Sequence, residues 1–315
     1  GQAVVPSCDT IPVINLASAR KILIQHVIKS SHEFGFFQLV NHGIEEKLIR
    51  EVLQVGEEFF ALPAEEKAKL FSDDPKQSSR LQTSVSYDNE DVHFWIDKLR
   101  HQCHPLAEHL QYWPENPTRY REVMGRYSVE VRKLSLQLLE LIGEGLGLEK
   151  GYFEDNEQMT KVQMMAINHY PTCPDPSLTL GLPKHSDPNL LTLLIQGEVN
   201  GLQVFKDGRW LGVNPLTNAF VVNIGHMLQI ISNGKLTSAD HRVVTNTEVP
   251  RTTVASFMHP DWESYVEPAK QLINDSSPAV LPGLVYRDFL ATYLLDTAKG
   301  IPPFDRYALF GRSLS

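Results

Sequence analysis

The chain has 315 residues, of which 42% are hydrophobic and 21% charged, so it has enough apolar material for a sizeable core. A formal charge of −9 without a long Lys/Arg run argues against nucleic acid as a substrate, because phosphate binding needs a basic surface. Three scattered cysteines and no apolar run of about 20 residues argue against a disulfide framework and a membrane span, so we expect a cytoplasmic, monomeric protein with reduced thiols.

The N-terminal part of the chain alternates strand and helix patterns. Residues 11–16 predict a short strand, which their proline places near a sheet edge. A helix is predicted over residues 19–33, a buried strand over 36–40, and an amphipathic helix over 44–59. His42, in the turn after the buried strand, is predicted to be a turn or core residue.

From residue 71 to residue 113 the periodicity fades, and polar residues and prolines are frequent. Loops of this length in a compact domain tend to be functional, which favours a lid over a substrate pocket. Phe94 and Trp95 are candidate substrate contacts, although the pair could equally anchor the loop. Glu90 and Asp91 precede them, and either carboxylate could pair with a protonated amine, which would favour an alkaloid substrate.

A long helix is predicted next, beginning at Asn116-Pro117 and ending at the glycines 143, 145 and 147. One apolar stripe along it is typical of a helix that packs against a sheet.

From residue 161 to residue 258 short apolar runs are separated by turn signals. Asp207-Gly208 predicts a hairpin between residues 201–205 and 210–213, and Asn200-Gly201 is a second hairpin signal. Many short strands at this spacing predict a sandwich or a barrel.

His185 and Asp187 have the spacing that places two side chains on one face of a strand. With the distal His241 they would offer two imidazoles and one carboxylate, the ligand set of non-haem Fe(II) oxygenases. A His-x-Asp triplet also arises by chance at this composition, and His259-Pro260-Asp261 is a second one. Only the first triplet is followed by a distal histidine, because His259 is the last histidine of the chain.

Arg251 and Thr253 follow His241 and again have strand spacing. A guanidinium and a hydroxyl on one face could hold a carboxylate, so the metal site is accompanied by an anion site. Further on, Tyr286, Phe289 and Tyr293 lie in helical register, a pattern that usually belongs to a core.

These residues resemble the plant Fe(II)/2-oxoglutarate-dependent dioxygenases, whose pattern is His-x-Asp, a distal His and Arg-x-Ser. The resemblance extends over nearly the whole chain through residues 11–16 (IPVINL), 34–43 (FGFFQLVNHG), 168–174 (NHYPTCP) and 201–204 (GLQV). Residues 69–75 and 103–106 are most similar to the branch that contains salicylic acid hydroxylases of the downy-mildew-resistance type and, nearby, hyoscyamine 6β-hydroxylase.

The resemblance implies an α+β, mainly β fold with a double-stranded β-helix, or jelly roll, over residues 158–262. A helix-rich supporting region would occupy residues 1–157, and a C-terminal helix closing the active site would lie in residues 263–315.

The resemblance also implies roles for individual residues, which were chosen by their match to the family pattern. Fe(II) would be held by His185, Asp187 and His241, which are also the catalytic residues. The cosubstrate 2-oxoglutarate would be bound by Arg251, Thr253, Tyr170 and Asn168, with ascorbate in a supporting role. Apart from the family pattern, aromatic residues expected around the mouth of the barrel suit a small ring compound, which would contact Phe94, Trp95, Phe257, Phe289 and Tyr293, with Asp91 as a further candidate contact.

The implied reaction hydroxylates a small plant specialised metabolite, aromatic, phenolic or alkaloid, while 2-oxoglutarate and O2 become succinate and CO2. Desaturation, demethylation and ring closure by the same iron chemistry stay open. A small-molecule sensor without activity and a zinc hydrolase are more remote alternatives, since neither needs both the full ligand set and Arg251.

Three residues depart from the family pattern: Thr253 stands in place of serine, His169 in place of tyrosine and His226 in place of aspartate. His226 follows a glycine in a predicted turn, which favours a role other than metal ligand.

Overall fold

The structure is a computed structural model, and it describes residues 11–72, 74, 77–85, 92–298 and 304. Helices and β-strands alternate in the first half of the chain, and strands dominate the second half. The helices of the described residues are α1 (Arg20–Glu33), α2 (Glu46–Phe60), α3 (Ala64–Ala68), α4 (Leu106–His109), α5 (Tyr120–Leu146), α6 (His226–Ile231) and α7 (Tyr286–Ala298). The strands are β1 (Val13–Asn15), β2 (Phe36–Val40), β3 (Ser79–Thr83), β4 (Asp97–Gln102), β5 (Val162–Tyr170), β6 (Leu182–His185), β7 (Leu191–Ile195), β8 (Leu202–Lys206), β9 (Arg209–Gly212), β10 (Phe220–Ile224), β11 (His241–Val243), β12 (Arg251–His259), β13 (Tyr265–Val266) and β14 (Leu284–Val285).

Two sheets form the centre of the protein. Within the described residues, the larger sheet has the strand order β1-β2-β10-β7-β12-β5-β4-β3, and the smaller one has the order β6-β11-β8-β9. All neighbouring strands are antiparallel except β1 and β2. Because consecutive strands cross between the two sheets, the arrangement is the predicted double-stranded β-helix.

The larger sheet separates two hydrophobic cores. On its outer face, Leu99 and Ile167 pack with residues of α2 and α5, such as Val52 and Leu138. Its inner face packs against the smaller sheet. There Val221 and Ala255 of the larger sheet join Val204 and Val243 of the smaller one. Because side chains alternate between the two faces of a strand, they pack either against the helix layer or in the interior of the barrel.

The N-terminal elements agree with the sequence prediction. β1 lies at the edge of the larger sheet, as its proline indicated, and α1, β2 and α2 occupy the predicted segments. His42 is buried, and its Nε2 lies 3.0 Å from the carbonyl oxygen of Asn218, so it is a core residue of the turn.

The prediction of an irregular lid over residues 71–113 was wrong for much of that segment. β3 and β4 form a hairpin in which Leu81 pairs with Leu99, and β4 continues the larger sheet beside β5. The two leucines are buried against the helices, while polar neighbours such as Arg80 and Arg100 turn to the other face. Charged residues on the inner face removed the apolar signal on which a strand prediction depends.

The ends of α5 also differ from the prediction. Asn116-Pro117 does not cap the helix, which begins at Tyr120. The helix continues through the first two glycines and ends at Gly147, whose φ of 77° is the left-handed conformation common at helix ends.

The two predicted hairpin turns had different outcomes. Asp207-Gly208 joins β8 to β9 as predicted, with both residues at positive φ. Asn200-Gly201 instead lies on the connection from β7 to β8, which belong to different sheets. In the described residues we find no helix with the length and apolar character that a bilayer crossing requires.

Candidate metal centre and anion site

His185, Asp187 and His241 come together between the two sheets. Each offers a ligand atom, and these atoms all lie within 4.8 Å of one another. The Nε2 atoms of His185 and His241 lie 4.0 Å and 3.8 Å from Oδ1 of Asp187. The two imidazoles are held side by side because His241 of β11 is the cross-strand partner of His185 at the end of β6, with ring centroids 4.1 Å apart. The spacing of His185 and Asp187 predicted that their side chains face the same space, and the distances agree with this prediction.

Backbone carbonyls fix both imidazoles in the tautomer that a metal requires. Nδ1 of His185 lies 2.9 Å from the carbonyl oxygen of Pro183, and Nδ1 of His241 lies 3.2 Å from that of Ala239. A carbonyl only accepts, so each Nδ1 carries the proton and donates it. Both Nε2 lone pairs are thereby left free to face Asp187, as in metal sites whose histidines are oriented by outer partners.

The electrostatics of the group also suit a divalent cation. Burial, followed by the neighbouring His241, lowers the pKa of His185 to about 4, so its imidazole is neutral near pH 7. Burial raises the pKa of Asp187, but both histidines and hydrogen bonds from Thr192 and Asn223 outweigh it, and the net pKa lies below the ordinary value. Two imidazoles and one carboxylate leave coordination positions open on a first-row metal, so these residues fit Fe(II).

Two residues that the sequence reasoning missed support this group. Nδ2 of Asn223 donates to Oδ2 of Asp187 at 3.0 Å, which fixes the carboxylate. Phe36 packs edge-on against His241 at 5.1 Å between ring centroids. Asn223 could have been found from its position on a buried strand, because a fully buried amide needs partners.

His226 begins α6 and lies outside the three-residue group. Its Nε2 lies 2.8 Å from the hydroxyl of Ser186, and its backbone N–H donates to the carbonyl oxygen of Asp187. Its position is therefore behind the His185–Asp187 triplet, where it holds the backbone between the two ligands. The second triplet has no comparable arrangement, since His259 pairs with Tyr286 and Asp261 with Lys161.

Arg251 is a buried cation at the start of β12, with only 2% of its surface exposed. Nε donates to the carbonyl oxygen of Val199 at 3.0 Å, and Nη2 donates to Oε1 of Gln196 at 3.3 Å. Both acceptors are neutral. Since a buried charge is costly without a counter-ion, this guanidinium suits an anionic ligand.

The neighbours of Arg251 are the residues predicted to share its site. Tyr170 is its cross-strand partner, and Asn168 is the partner of Thr253. The guanidinium carbon lies 5.3 Å from the centre of the Tyr170 ring. Burial raises the pKa of Tyr170 to about 12 although the charge of Arg251 opposes it, so the phenol stays a hydrogen-bond donor.

Gly201 provides the space for Arg251. A Cβ on this residue would lie 3.2 Å from both Cδ of Arg251 and the carbonyl oxygen of Val244. Any side chain here would displace the arginine or the backbone of the neighbouring strand. The GLQV segment thus keeps the anion site open through its glycine.

The candidate substrate residues have different surroundings. Phe257 is on β12, two positions beyond Ala255, and with Phe94 it packs against the interior core. Trp95 is 38% exposed, and its indole donates to the carbonyl oxygen of Thr172. Asp91 lies outside the described residues, as does Glu90.

The remaining two candidates belong to α7. Phe289 is fully buried in the helix-side core, and its ring lies 5.8 Å from that of His226. The hydroxyl of Tyr293 donates to the carbonyl oxygen of Ser186. Both aromatic residues therefore stand behind the His185–Asp187 triplet.

An open His/Asp/His group inside a double-stranded β-helix is the mark of the non-haem iron oxygenases. Family profiles agree: that of the 2OG-Fe(II) oxygenase superfamily matches residues 161–260, and that of the non-haem dioxygenase in morphine synthesis N-terminal region matches residues 11–120. The chain belongs to the 2OG-Fe(II) oxygenase superfamily. It is a 2-oxoglutarate-dependent dioxygenase that uses Fe(II), O2 and a small-molecule substrate.

Similar proteins cover most of the chain. Flavanone 3-dioxygenase 2 of Oryza sativa subsp. japonica is 50% identical over 281 residues, which are 89% of this chain and 82% of the rice protein. Protein DOWNY MILDEW RESISTANCE 6 of Arabidopsis thaliana is 46% identical over 289 residues, 90% of this chain and 83% of that protein, so the expected branch is confirmed. Among solved structures, JOX2 in complex with 2OG, Fe and JA is 30% identical with a TM-score of 0.85, covering 93% of this chain and 87% of its own.

Proposed function

We propose that His185, Asp187 and His241 hold Fe(II) and that Arg251, with Thr253, Tyr170 and Asn168, binds 2-oxoglutarate. The observation that carries this proposal is the pairing of a metal-ligand group within 4.8 Å with a buried arginine whose described partners are all neutral. Arg251 offers two parallel N–H donors to one carboxylate, and hydroxyls of the neighbouring strands add further donors.

We further propose that the substrate is a small plant specialised metabolite with an aromatic ring, and that the reaction is hydroxylation. The iron centre, with 2-oxoglutarate and O2, supplies the oxidising chemistry. Phe257 and Phe94 border the interior of the barrel and would contact the ring. Phe289 and Tyr293 would act as supports of the ligand triplet from behind.

The protein residues set the conditions for this chemistry. Asn223 and the carbonyl oxygens of Pro183 and Ala239 hold the ligand atoms in one orientation before the metal arrives. Burial of Arg251 and Asp187 keeps water away, which strengthens each charge interaction inside the site. Desaturation, demethylation or ring closure would use the same residues, with a different position of the substrate C–H bond.

A turnover assay tests the proposal. The protein is incubated with Fe(II), ascorbate, 2-oxoglutarate and O2, together with a phenolic acid, a flavanone or a tropane amine, and succinate and product mass are read together. We expect succinate that depends on one substrate class, with a product that has gained one oxygen. Succinate formation that persists in His241→Ala, or that needs no more 2-oxoglutarate in Arg251→Gln than in the wild type, would contradict the proposed site.

Arg242→Gln is the matched control for the arginine variant. Arg242 is next to His241 on β11, but it faces outward and donates to Oε1 of Gln203 while stacking on Trp210. This variant should keep the wild-type dependence on 2-oxoglutarate.

A further inference from the structure

His259 is a buried histidine at the end of β12, and only one of its two ring nitrogens has a partner. Its Nδ1 lies 2.6 Å from the hydroxyl of Tyr286. Its Nε2 is buried and has no hydrogen-bond partner among the described residues. Buried polar atoms without a partner are rare in folded proteins, and each one needs an explanation. Nε2 of His259 is therefore a candidate for hydrogen bonding to a bound ligand.

A second buried histidine–tyrosine pair shows the contrast with a structural histidine. Nε2 of His101 lies 2.9 Å from the hydroxyl of Tyr120, and its Nδ1 lies 3.7 Å from Sγ of Cys103. Both ring nitrogens of His101 thus have partners within the protein. His101 is on the same face of β4 as Leu99, which packs against the helices. Burial in the helix layer alone therefore does not leave a ring nitrogen unpartnered.

His259 belongs to the face of β12 that borders the metal-ligand group. Phe257 precedes it by two residues, so both side chains project to the same face, and their ring centroids are 6.1 Å apart. Phe257 is the cross-strand partner of Thr192 on β7, and Thr192 hydrogen-bonds to Asp187. The inner face of β12 therefore adjoins the proposed iron site, and His259 continues this face beyond Phe257.

The hydrogen bond to Tyr286 selects the tautomer of His259. Burial, followed by the charge of Arg100, lowers the pKa of His259 to about 3 although Asp187 opposes the shift, so the ring is neutral with one proton. Burial raises the pKa of Tyr286, so the phenol keeps its proton. A distance of 2.6 Å is shorter than ordinary N–H···O bonds and suits an O–H donor. Tyr286 therefore donates to Nδ1, and Nε2 carries the N–H of the ring.

Tyr286 is itself held in one position. Its ring stacks on that of Trp262, with centroids 5.7 Å apart and an angle of 9° between the planes. Its backbone N–H donates to the carbonyl oxygen of Ser264 at 2.9 Å. The imidazole of His259 is thus fixed through Tyr286 before any ligand binds. A donor that is already ordered costs little conformational entropy when it forms a hydrogen bond to a ligand.

We propose that the Nε2–H of His259 donates a hydrogen bond to a carbonyl oxygen of the substrate and so orients the ring compound beside Phe257. The proposal rests on the proposed function, because it takes the interior of the barrel as the substrate site. A carbonyl oxygen only accepts, so it matches a group that only donates. A substrate with a hydrocarbon group or a protonated amine in the same place would leave the N–H without a partner, and the site disfavours it.

Pairs of ligands that differ in one carbonyl group test this inference. Calorimetric titrations are made without O2 on the protein loaded with Fe(II) and 2-oxoglutarate, using flavanone against flavan, 4-hydroxybenzaldehyde against 4-methylphenol, and tropinone against tropane. The ratio of the two affinities is compared between the wild type and His259→Leu, which removes the difference in hydrophobicity within each pair. We expect this ratio to fall about 10-fold for at least one pair, which is the scale of one buried hydrogen bond. His259→Gln, which retains a side-chain N–H, should keep part of the preference.

Nitrogen-15 NMR of the histidine side chains tests the tautomer without any ligand. The signal of His259 in the metal-free protein is assigned by its loss in His259→Gln. We expect the proton on Nε2 in the wild type, and a shift towards the other tautomer in Tyr286→Phe. A proton on Nδ1 in the wild type would refute the proposal, whether or not a leucine variant folds.

The affinity for 2-oxoglutarate is the control in every variant, and His101→Leu is the matched control for the histidine. Both leucine variants should bind 2-oxoglutarate like the wild type, which shows that they are folded. His101→Leu should leave every carbonyl ratio unchanged, because its ring faces the helices. If the wild type fails to bind 2-oxoglutarate, the proposed function itself is wrong. If it binds 2-oxoglutarate but no carbonyl compound, or if no ratio falls in His259→Leu, the role of His259 is refuted.

Discussion

Two buried histidines next to Asp187 have different roles by geometry. His241 directs Nε2 at the Asp187 carboxylate, whereas His226 directs Nε2 at Ser186. We expect His241→Ala to lose Fe(II), because one of three ligands disappears from the site, and His226→Ala to retain it. Metal content after dialysis against a weak chelator measures the difference. Equal iron loss in both variants would contradict the ligand assignment, provided that circular dichroism shows both to be folded.

Burial of His101 makes the stability of the folded protein depend on pH. It is fully buried on β4, and its Nε2 lies 2.9 Å from the hydroxyl of Tyr120. Burial, followed by the charge of His109, lowers its pKa from 6.5 to about 3. Between these values the unfolded chain binds a proton that the folded chain does not, so the free energy of unfolding falls as the pH decreases through this window.

The contribution of this one histidine is about 1.4 kcal/mol per pH unit below its unfolded pKa. We expect His101→Gln, measured by urea unfolding of the metal-free protein from about pH 7 to about pH 5, to show a shallower loss of stability than the wild type. An unchanged slope would mean that His101 is not buried in its neutral form.

Sequence spacing was sufficient to predict that the proposed ligands lie together, but not to find the residues that support them. His185 and Asp187 are separated by one residue on a strand end, so a period of two predicts their shared face. Asn223 comes from β10 and Gln196 from the residue after β7, and only the strand register shows which residues they meet. Pairing register depends on contacts between distant segments, which a single sequence does not display.

At the level of elements, α5 contains three glycines with different surroundings. A Cβ on Gly145 would lie 2.3 Å from Cγ1 of Ile28, so α1 and α5 cross at this residue. A Cβ on Gly125 would have its nearest neighbour, Cδ2 of Leu106, at 3.7 Å, which is ordinary contact. The sequence placed Gly145 at the helix end, but it is the contact point of two helices.

Alanine substitutions at Gly145 and Gly125 should change the free energy of unfolding in opposite directions. Gly145→Ala should lower the free energy of unfolding by about 1–3 kcal/mol through overpacking against Ile28. Gly125→Ala should raise it by about 0.5–1 kcal/mol, because alanine loses less backbone freedom on folding. Urea unfolding of the two variants checks both signs, and a stabilising Gly145→Ala would show that the helices do not cross there.

The β4 strand can be tested in the same way. Leu99 is fully buried against the helix layer, so Leu99→Ala should cost about 2–5 kcal/mol of unfolding free energy. Leu178 is 72% exposed and offers a matched control, for which the same substitution should change stability by less than about 0.5 kcal/mol. A small effect at Leu99 would restore the earlier prediction of an irregular lid in this segment.

For the whole molecule, ligand binding should raise the free energy of unfolding. Metal and 2-oxoglutarate bind the folded state, so each at about 100 times its Kd should add roughly 2.7 kcal/mol. We expect the melting temperature to rise with Mn(II) as a stand-in for Fe(II), and to rise again with 2-oxoglutarate. The His241→Ala variant should lose the rise in melting temperature that Mn(II) causes. The Arg251→Gln variant should lose only the rise that 2-oxoglutarate causes. Loss of both increments in Arg251→Gln would show that the two sites are not separate.

The overall architecture was predictable in its second half, where short strands and turn residues pointed to a sandwich or barrel and the family resemblance specified the jelly roll. It was less predictable in the first half, because β3 and β4 carry charged residues towards the barrel interior and so resemble a loop in composition. The larger sheet nevertheless takes strands from both halves.

Turnover under isotopically labelled O2 tests the central claim most directly. With Fe(II), 2-oxoglutarate and an accepted substrate, we predict one labelled oxygen in succinate and one in the product for each 2-oxoglutarate consumed. His241→Ala should yield neither, and Arg251→Gln should yield both only at much higher 2-oxoglutarate concentration. Product formation without labelled succinate, or labelled succinate formed equally by His241→Ala, would contradict the assignment of this site.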